Sequence, residues 1–89
     1  MAVIVIAQVP GMTFEGYNGM IAMLGDRLRS TKGLIAHTAG PTDDGWRVVE
    51  IWESGEAANQ FFAREVHPNL PPGIKPRRSV QPLHNVIAP

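Results

Sequence analysis

The fold is decided by residues 45–62, which read GWRVVEIWESGEAANQFF. The first part, Gly45 to Trp52, is rich in β-branched and aromatic side chains, which is typical of a β-strand. Ser54 follows almost at once and is a favoured helix N-cap. Beyond it, three apolar residues recur every four positions and would share one helical face: Ala58, Phe62 and Val66. The stretch therefore predicts a strand that passes directly into a helix.

Length and composition exclude several classes of protein. The 89 residues predict one domain, spanning residues 1–89, with a modest core. The absence of cysteine removes disulfides and thiolate metal sites, and a cytoplasmic, reducing setting is expected. A formal net charge of zero argues against nucleic acid or membrane as a partner. The three histidines have no short repeated spacing, so we assign no metal ligand.

A hairpin is predicted upstream of Trp46. Gly33 to Ala39 has strand-like composition, and an Asp-Gly pair at residues 44–45 between two strand runs is typical of a hairpin turn. A two-residue loop would set His37 opposite Trp52, whereas a longer loop would set it opposite Val48. Both registers place His37 on one strand face together with four other residues: Trp46, Val48, Glu50 and Trp52.

Three more elements complete the chain. Val3 to Val9 is apolar at nearly every position, which is typical of a central strand. Thr13 is a favoured N-cap for a first helix. The apolar face of that helix is expected to carry Phe14, Tyr17, Ile21, Leu24 and Leu28.

Proline governs the last third of the chain. Pro68 should end the second helix near His67. A proline-rich connection follows over residues 68–78, and its basic cluster, Lys75, Arg77 and Arg78, is interpreted as a solvated loop. Ser79 to Ile87 should form a final strand, and Pro82 indicates that this strand lies at a sheet edge or carries a bulge.

The order of elements is therefore βαββαβ, which predicts an α+β, ferredoxin-like fold. Its four-stranded antiparallel sheet would have the spatial order 4-1-3-2, with both helices on one face. The first strand is apolar on both sides, yet the helices would cover only one. We therefore expect a homodimer through the uncovered sheet face.

The motifs also resemble a known family. A glycine-led strand, GLIAH at residues 33–37, is followed by RVVEIWES at 47–54, where Trp-x-Ser ends a strand and caps a helix containing Phe61 and Phe62. This pattern is similar to that of antibiotic biosynthesis monooxygenase (ABM) domains, members of the dimeric α+β barrel superfamily, over almost the whole chain. The resemblance implies a barrel of two packed sheets and a pocket between helices and sheet in each subunit.

The resemblance further implies an oxidoreductase activity. It points to a cofactor-independent monooxygenase that acts on a quinol, a phenol or a polyketide-type aromatic, without metal or flavin. Two alternatives stay open: a non-catalytic dimeric barrel that binds a small apolar ligand, and a cyclase or isomerase on the same scaffold. In the haem-degrading branch of the family the matching positions are Gln8, Phe61 and His67, of which only the last agrees.

Glu50 and His37 are the candidate catalytic residues. A carboxylate within an apolar strand needs a partner or a wet site, so Glu50 is a candidate proton acceptor. Imidazole changes its charge near neutral pH, which makes His37 the other candidate base. The structural alternatives are that Glu50 pairs with Arg47, Arg64 or an arginine of a second subunit, and that His37 only supports the fold.

The candidate substrate-binding residues are mostly aromatic. Such side chains line pockets for flat ligands, but at these spacings they also build ordinary cores. The set is Tyr17, Asn18, Trp46, Trp52, Phe61 and Phe62. The sequence leaves open whether the face with Glu50 looks toward a pocket or toward the second subunit.

Overall fold

Four strands and two helices follow the predicted order in a computed structural model that describes residues 1–89. The elements are β1 (Val3–Pro10), α1 (Phe14–Ser30), β2 (Leu34–Thr42), β3 (Gly45–Trp52), α2 (Gly55–Phe61) and β4 (Arg77–Pro82). The sheet has the order β2-β3-β1-β4 with every neighbouring pair antiparallel. The ferredoxin-like α+β prediction is confirmed.

Both helices begin at the predicted caps. The Thr13 hydroxyl accepts a hydrogen bond from Gly16 N–H at 3.0 Å, and the Ser54 hydroxyl accepts one from Ala57 N–H at 3.1 Å. Only the C-terminal half of α1 is buried, so Phe14, which was predicted on its apolar face, is 68% exposed. A free N–H at each helix start is thus satisfied by the side chain that the sequence predicts for it.

The second helix changes its winding before Pro68. After α2, a π-helical turn spans Phe62–Val66 and a 3-10 turn spans His67–Asn69. Pro68 lies in the first positions of the 3-10 turn, where its missing N–H interrupts no hydrogen bond. The helical path therefore continues slightly beyond the predicted end at His67. No helix in the structure has the length and apolar character needed to cross a membrane.

The core lies between the helices and one face of the sheet. Trp52 is 0% exposed and its ring lies 5.8 Å from that of Phe61 and 6.0 Å from that of Phe62, measured between centroids. Alternate residues of β1 are buried on the same face, from Val3 to Val9. The strand face that carries Glu50 and Trp52 therefore looks toward the helices, which answers the question left open by the sequence.

The β2–β3 hairpin adopts a register between the two predicted ones. Its loop is Asp43-Asp44, Thr42 pairs with Gly45, and His37 pairs with Glu50. Gly45 already belongs to β3, where it pairs with Pro10 of β1. A Cβ at this position would collide with the carbonyl oxygen of Val9, so only glycine fits. Both predicted pairings of His37 are wrong by two residues, although the predicted face is right.

The final strand is shorter and begins earlier than predicted. β4 starts at Arg77 and stops at Pro82, which lies opposite Val3, the first residue of its partner β1. Without a partner strand, the residues up to Ile87 cannot extend the sheet. The interpretation of Arg77 and Arg78 as a solvated loop is wrong, since both pair with β1, and the edge position of Pro82 is confirmed.

Candidate active site

A mostly apolar cavity of about 100 Å³ lies between α1, the second helix and the inner sheet face. Its apolar wall includes Val5, Ala7 and Val9 of β1 and Leu24 of α1. Four side chains with polar ends also reach it: Tyr17, His37, Glu50 and Arg78. A dry cavity of about 150 Å³ is known to hold benzene, and this one is smaller, so it has room for at most one aromatic ring.

Three of these polar side chains form a continuous chain of hydrogen bonds. The Tyr17 hydroxyl lies 2.6 Å from His37 Nε2, and His37 Nδ1 lies 2.6 Å from Glu50 Oε2. The second carboxylate oxygen, Oε1, accepts a hydrogen bond from Trp52 Nε1–H at 3.0 Å. Every polar atom of this chain therefore has a partner, although Glu50 is only 5% exposed.

Local structure explains why these residues meet. The hairpin register sets His37 directly opposite Glu50, and Trp52 lies two residues further along the same face of β3. Tyr17 lies on the first turns of α1, which Thr13 fixes by its cap. The chain thus links a helix to the two adjacent strands beneath it.

When His37 is neutral, the protons of this chain have one consistent arrangement. Burial raises the pKa of Tyr17 above its usual value, and the negative charge of Glu50 raises it further. The phenol therefore keeps its proton and donates a hydrogen bond to His37 Nε2. The other ring nitrogen, Nδ1–H, then donates to the carboxylate of Glu50. His37 is thereby held with a proton-accepting nitrogen toward Tyr17.

Arg78 brings a positive charge to the same cavity. It pairs with the buried Ala7, which places it on the inner sheet face. Its guanidinium lies 4.2 Å from the ring centroid of Phe62 and donates to His67 Nε2 at 2.8 Å, while no carboxylate forms an ion pair with it. Burial lowers the pKa of Arg78 and Glu50 partly offsets this. The period-2 pattern of β4 was the signal that could have found it.

Five of the predicted site residues line the cavity: His37, Glu50, Tyr17, Phe61 and Phe62. Trp52 lies behind the wall and holds Glu50. Two of the proposed alternatives for Glu50 do not occur: Arg47 points to the other sheet face and Arg64 is exposed on the helix side, so neither pairs with it.

Trp46 and Asn18 lie outside the cavity wall. Trp46 stacks on Tyr17 with 5.5 Å between ring centroids, and its Nε1–H is buried without an acceptor. Asn18 follows Tyr17 on α1, and one helical step of about 100° turns it to the exposed side. Sequence reasoning did not identify Met12 and Met20, which line the wall. The structure has no cluster of three or more His, Cys, Asp or Glu side chains that could hold a metal ion.

Comparison with known proteins gives similarity in fold. No family model and no curated protein sequence matches the chain. The solved structure of SnoaB, a cofactor-independent oxygenase from Streptomyces nogalater, matches with a TM-score of 0.67 and 11% identity, over 97% of this chain and 96% of that chain. A monooxygenase from the gene ActVA-Orf6 of Streptomyces coelicolor, in complex with nanaomycin D, matches with a TM-score of 0.55 and 21% identity, over 99% and 91%.

Proposed function

We propose that this protein is a cofactor-independent monooxygenase that oxidises a quinol, a phenol or a polyketide-type aromatic. The observation that carries the proposal is the chain from Tyr17 through His37 to Glu50, which ends at an apolar cavity. The shared fold with two oxygenases supports it. The small cavity favours a substrate that inserts one ring and leaves the rest outside.

The first step is removal of a proton from the substrate. A substrate hydroxyl donates a hydrogen bond to the Tyr17 oxygen, and the Tyr17 proton moves to His37 Nε2 as the substrate proton replaces it. The imidazolium so formed faces the Glu50 carboxylate, which stabilises its charge. Positioned proton transfer of this kind contributes about 10²- to 10⁴-fold in rate.

The cavity then favours the substrate anion. Arg78 supplies a positive charge at the wall, and the apolar residues around it keep water from weakening that interaction. Phe61 and Phe62 offer faces for the inserted ring. In this scheme Trp52 is a positioning residue for Glu50, and Asn18 has no role.

Oxygen enters in the second step. The anion passes one electron to dioxygen, and the resulting phenoxyl radical and superoxide combine at a ring carbon to give a peroxide. The peroxide takes the proton held by His37. The ring hydrogen and the terminal hydroxyl then leave as water, and a second carbonyl remains. One oxygen atom enters the product and the other enters water.

We also propose that the protein is a homodimer through the sheet face opposite the helices. The centre of that face consists of half-buried apolar side chains that no helix covers: Ile4, Ile6, Val49 and Ile51. Packing two such faces would remove these side chains from water.

Oxygen uptake tests the proposed activity. The purified protein is given a panel of quinols, hydroxynaphthalenes and anthrones, and oxygen consumption is followed together with product mass after supply of ¹⁸O₂. We expect uptake above the blank with at least one compound, one labelled atom in its product, and loss of about 10²- to 10⁴-fold in His37→Gln.

His84→Gln is the matched control, because His84 is exposed and lies outside the cavity. It should retain the full rate. Uptake at the blank rate across the whole panel would contradict the oxygenase proposal. Conversion of a substrate without oxygen uptake would instead favour the cyclase or isomerase alternative.

A further inference from the structure

Tyr17 is placed to lose a proton and an electron together. Its hydroxyl lies 2.6 Å from His37 Nε2, and the planes of the two rings differ by 13°. The phenol O–H and the imidazole lone pair both lie in their ring planes, so they can point along one line. One-electron oxidation of a phenol becomes much easier when a base accepts the proton in the same event, because no high-energy radical cation forms.

The neighbouring indole is not placed to do the same. Trp46 stacks on Tyr17 at 5.5 Å between centroids, so an electron can pass between the two rings. Its Nε1–H, however, is buried and has no acceptor. An oxidised Trp46 would therefore have to keep its proton as a cation in largely apolar surroundings, which is unfavourable. Between the two rings, the unpaired electron is more stable on Tyr17.

We propose that Tyr17 is a redox-active tyrosine that donates one electron to a radical oxidant in the cavity. In this step the electron leaves the phenol ring and the hydroxyl proton moves to His37 Nε2. A peroxyl radical thereby becomes a peroxide anion, which takes the proton from His37 and leaves as a hydroperoxide. The remaining phenoxyl radical on Tyr17 is reduced by a thiol- or ascorbate-type donor from solvent.

This step gives the cavity a protective activity distinct from oxygenation. Where the proposed function operates, the radicals reduced would be those that escape recombination, and only this source of radicals rests on the proposed function. The redox property itself depends on contacts within the chain. It is therefore measured without substrate, and the two proposals can fail separately.

Flash photolysis tests the proposal on the intact protein. A ruthenium tris-bipyridine complex and an electron-accepting quencher generate a one-electron oxidant in a laser pulse, and the radical is identified by EPR and transient absorption. Tyr17 is the only tyrosine in the chain, so any phenoxyl signal reports on it alone. We expect a phenoxyl radical in the native protein and none in Tyr17→Phe.

The role of His37 needs its own measurement. His37→Gln should form the phenoxyl radical at least about tenfold more slowly, while His84→Gln should behave as the native protein. If His37→Gln does not fold, the native protein in D₂O replaces it and should show slower radical formation than in H₂O. An indole radical in place of a phenoxyl radical would overturn the proposal. So would a rate of radical formation that the His37 substitution leaves unchanged, or, where D₂O is used instead, a rate that deuterium leaves unchanged.

Discussion

Among single residues, Glu50 fixes the direction of the hydrogen-bond chain. Both of its oxygens accept, one from His37 and one from Trp52. In Glu50→Gln an amide NH₂ replaces one acceptor, which favours the other tautomer of His37 and turns an N–H toward Tyr17. We expect turnover of the proposed substrate to fall by about 10²- to 10⁴-fold, as for the corresponding carboxylate substitution in serine proteases.

Steady-state oxygen uptake measures this loss, and Glu53→Gln is the matched control. Glu53 is an exposed glutamate just after the same strand, with no side-chain partner. The control should keep full activity, and both variants should keep their oligomeric state. Loss of the dimer in Glu50→Gln with activity retained per folded dimer would mean that Glu50 serves assembly rather than chemistry.

Tyr17 predicts a loss of stability in alkali. Its pKa in the folded protein lies above the ordinary 10.0, because burial and then the Glu50 charge disfavour the phenolate. Between the two pKa values the unfolded chain binds fewer protons than the folded one, so the free energy of unfolding falls as pH rises. This contribution is complete below pH 10.0 and is lost as pH rises through the folded pKa.

Urea unfolding at pH values on both sides of 10.0 measures this effect. Tyr17→Phe should lack the part of the alkaline decline that Tyr17 causes, so the two stability curves should converge as pH increases. Lysine and arginine titrate in both proteins and cancel in the comparison. Parallel curves through this range would show that the phenol is not protected by folding.

At this scale the sequence predicts part of the site. Strand alternation alone puts His37 on the face of Glu50, and that holds in either hairpin register. Strand alternation does not show which helix residue contacts His37 and Glu50, so Tyr17 was only one of several aromatic candidates. Arg78 was missed because residues 68–78 were interpreted as a proline-rich loop, although the period-2 pattern of β4 extends back to it.

Among the elements, the β2–β3 hairpin depends on one glycine. A Cβ at residue 45 would collide with the Val9 carbonyl and lie 2.8 Å from the Gly11 nitrogen, both of which are backbone atoms that cannot move easily. We expect Gly45→Ala to lower the free energy of unfolding by about 1 to 3 kcal/mol or more. Chemical denaturation gives this difference directly.

Gly40→Ala is the control, because Gly40 lies in the same hairpin and a Cβ there meets nothing within 4 Å. It should change stability by no more than about 0.5 kcal/mol. An equal loss in the two variants would mean that the β1 contact does not decide the register.

The Asp-Gly pair indicates a hairpin correctly, but the loop position follows from β1, a strand more than thirty residues away in sequence.

For the whole molecule, the uncovered sheet face predicts assembly. Ile51 belongs to the apolar set proposed as the interface and pairs with Ile4 of the same set. Ile51→Glu would place a charge between two packed sheets, where it has no partner. We expect the native protein to sediment as a dimer at micromolar concentration and Ile51→Glu as a monomer. A protein that is already a monomer without substitution would contradict the proposed dimer.

Asn59→Glu adds the same charge on the exposed surface of α2 and serves as control. It should remain a dimer.

The order of strands was predictable at this scale because the two-sided apolar pattern of β1 fixes a central strand. The cavity was not predictable, because its volume depends on how far the first half of α1 stands from the sheet.

The positions of the two tryptophans give the protein an optical reporter of its own. Trp52 is sealed in the core beside Glu50, whereas Trp46 is half-buried and stacks on Tyr17 at the edge of the cavity. Unfolding should change the fluorescence of both indoles. A compound that displaces Tyr17 should alter only the emission of Trp46, so a Trp52→Phe variant that still folds would report ligand entry without labels and without turnover.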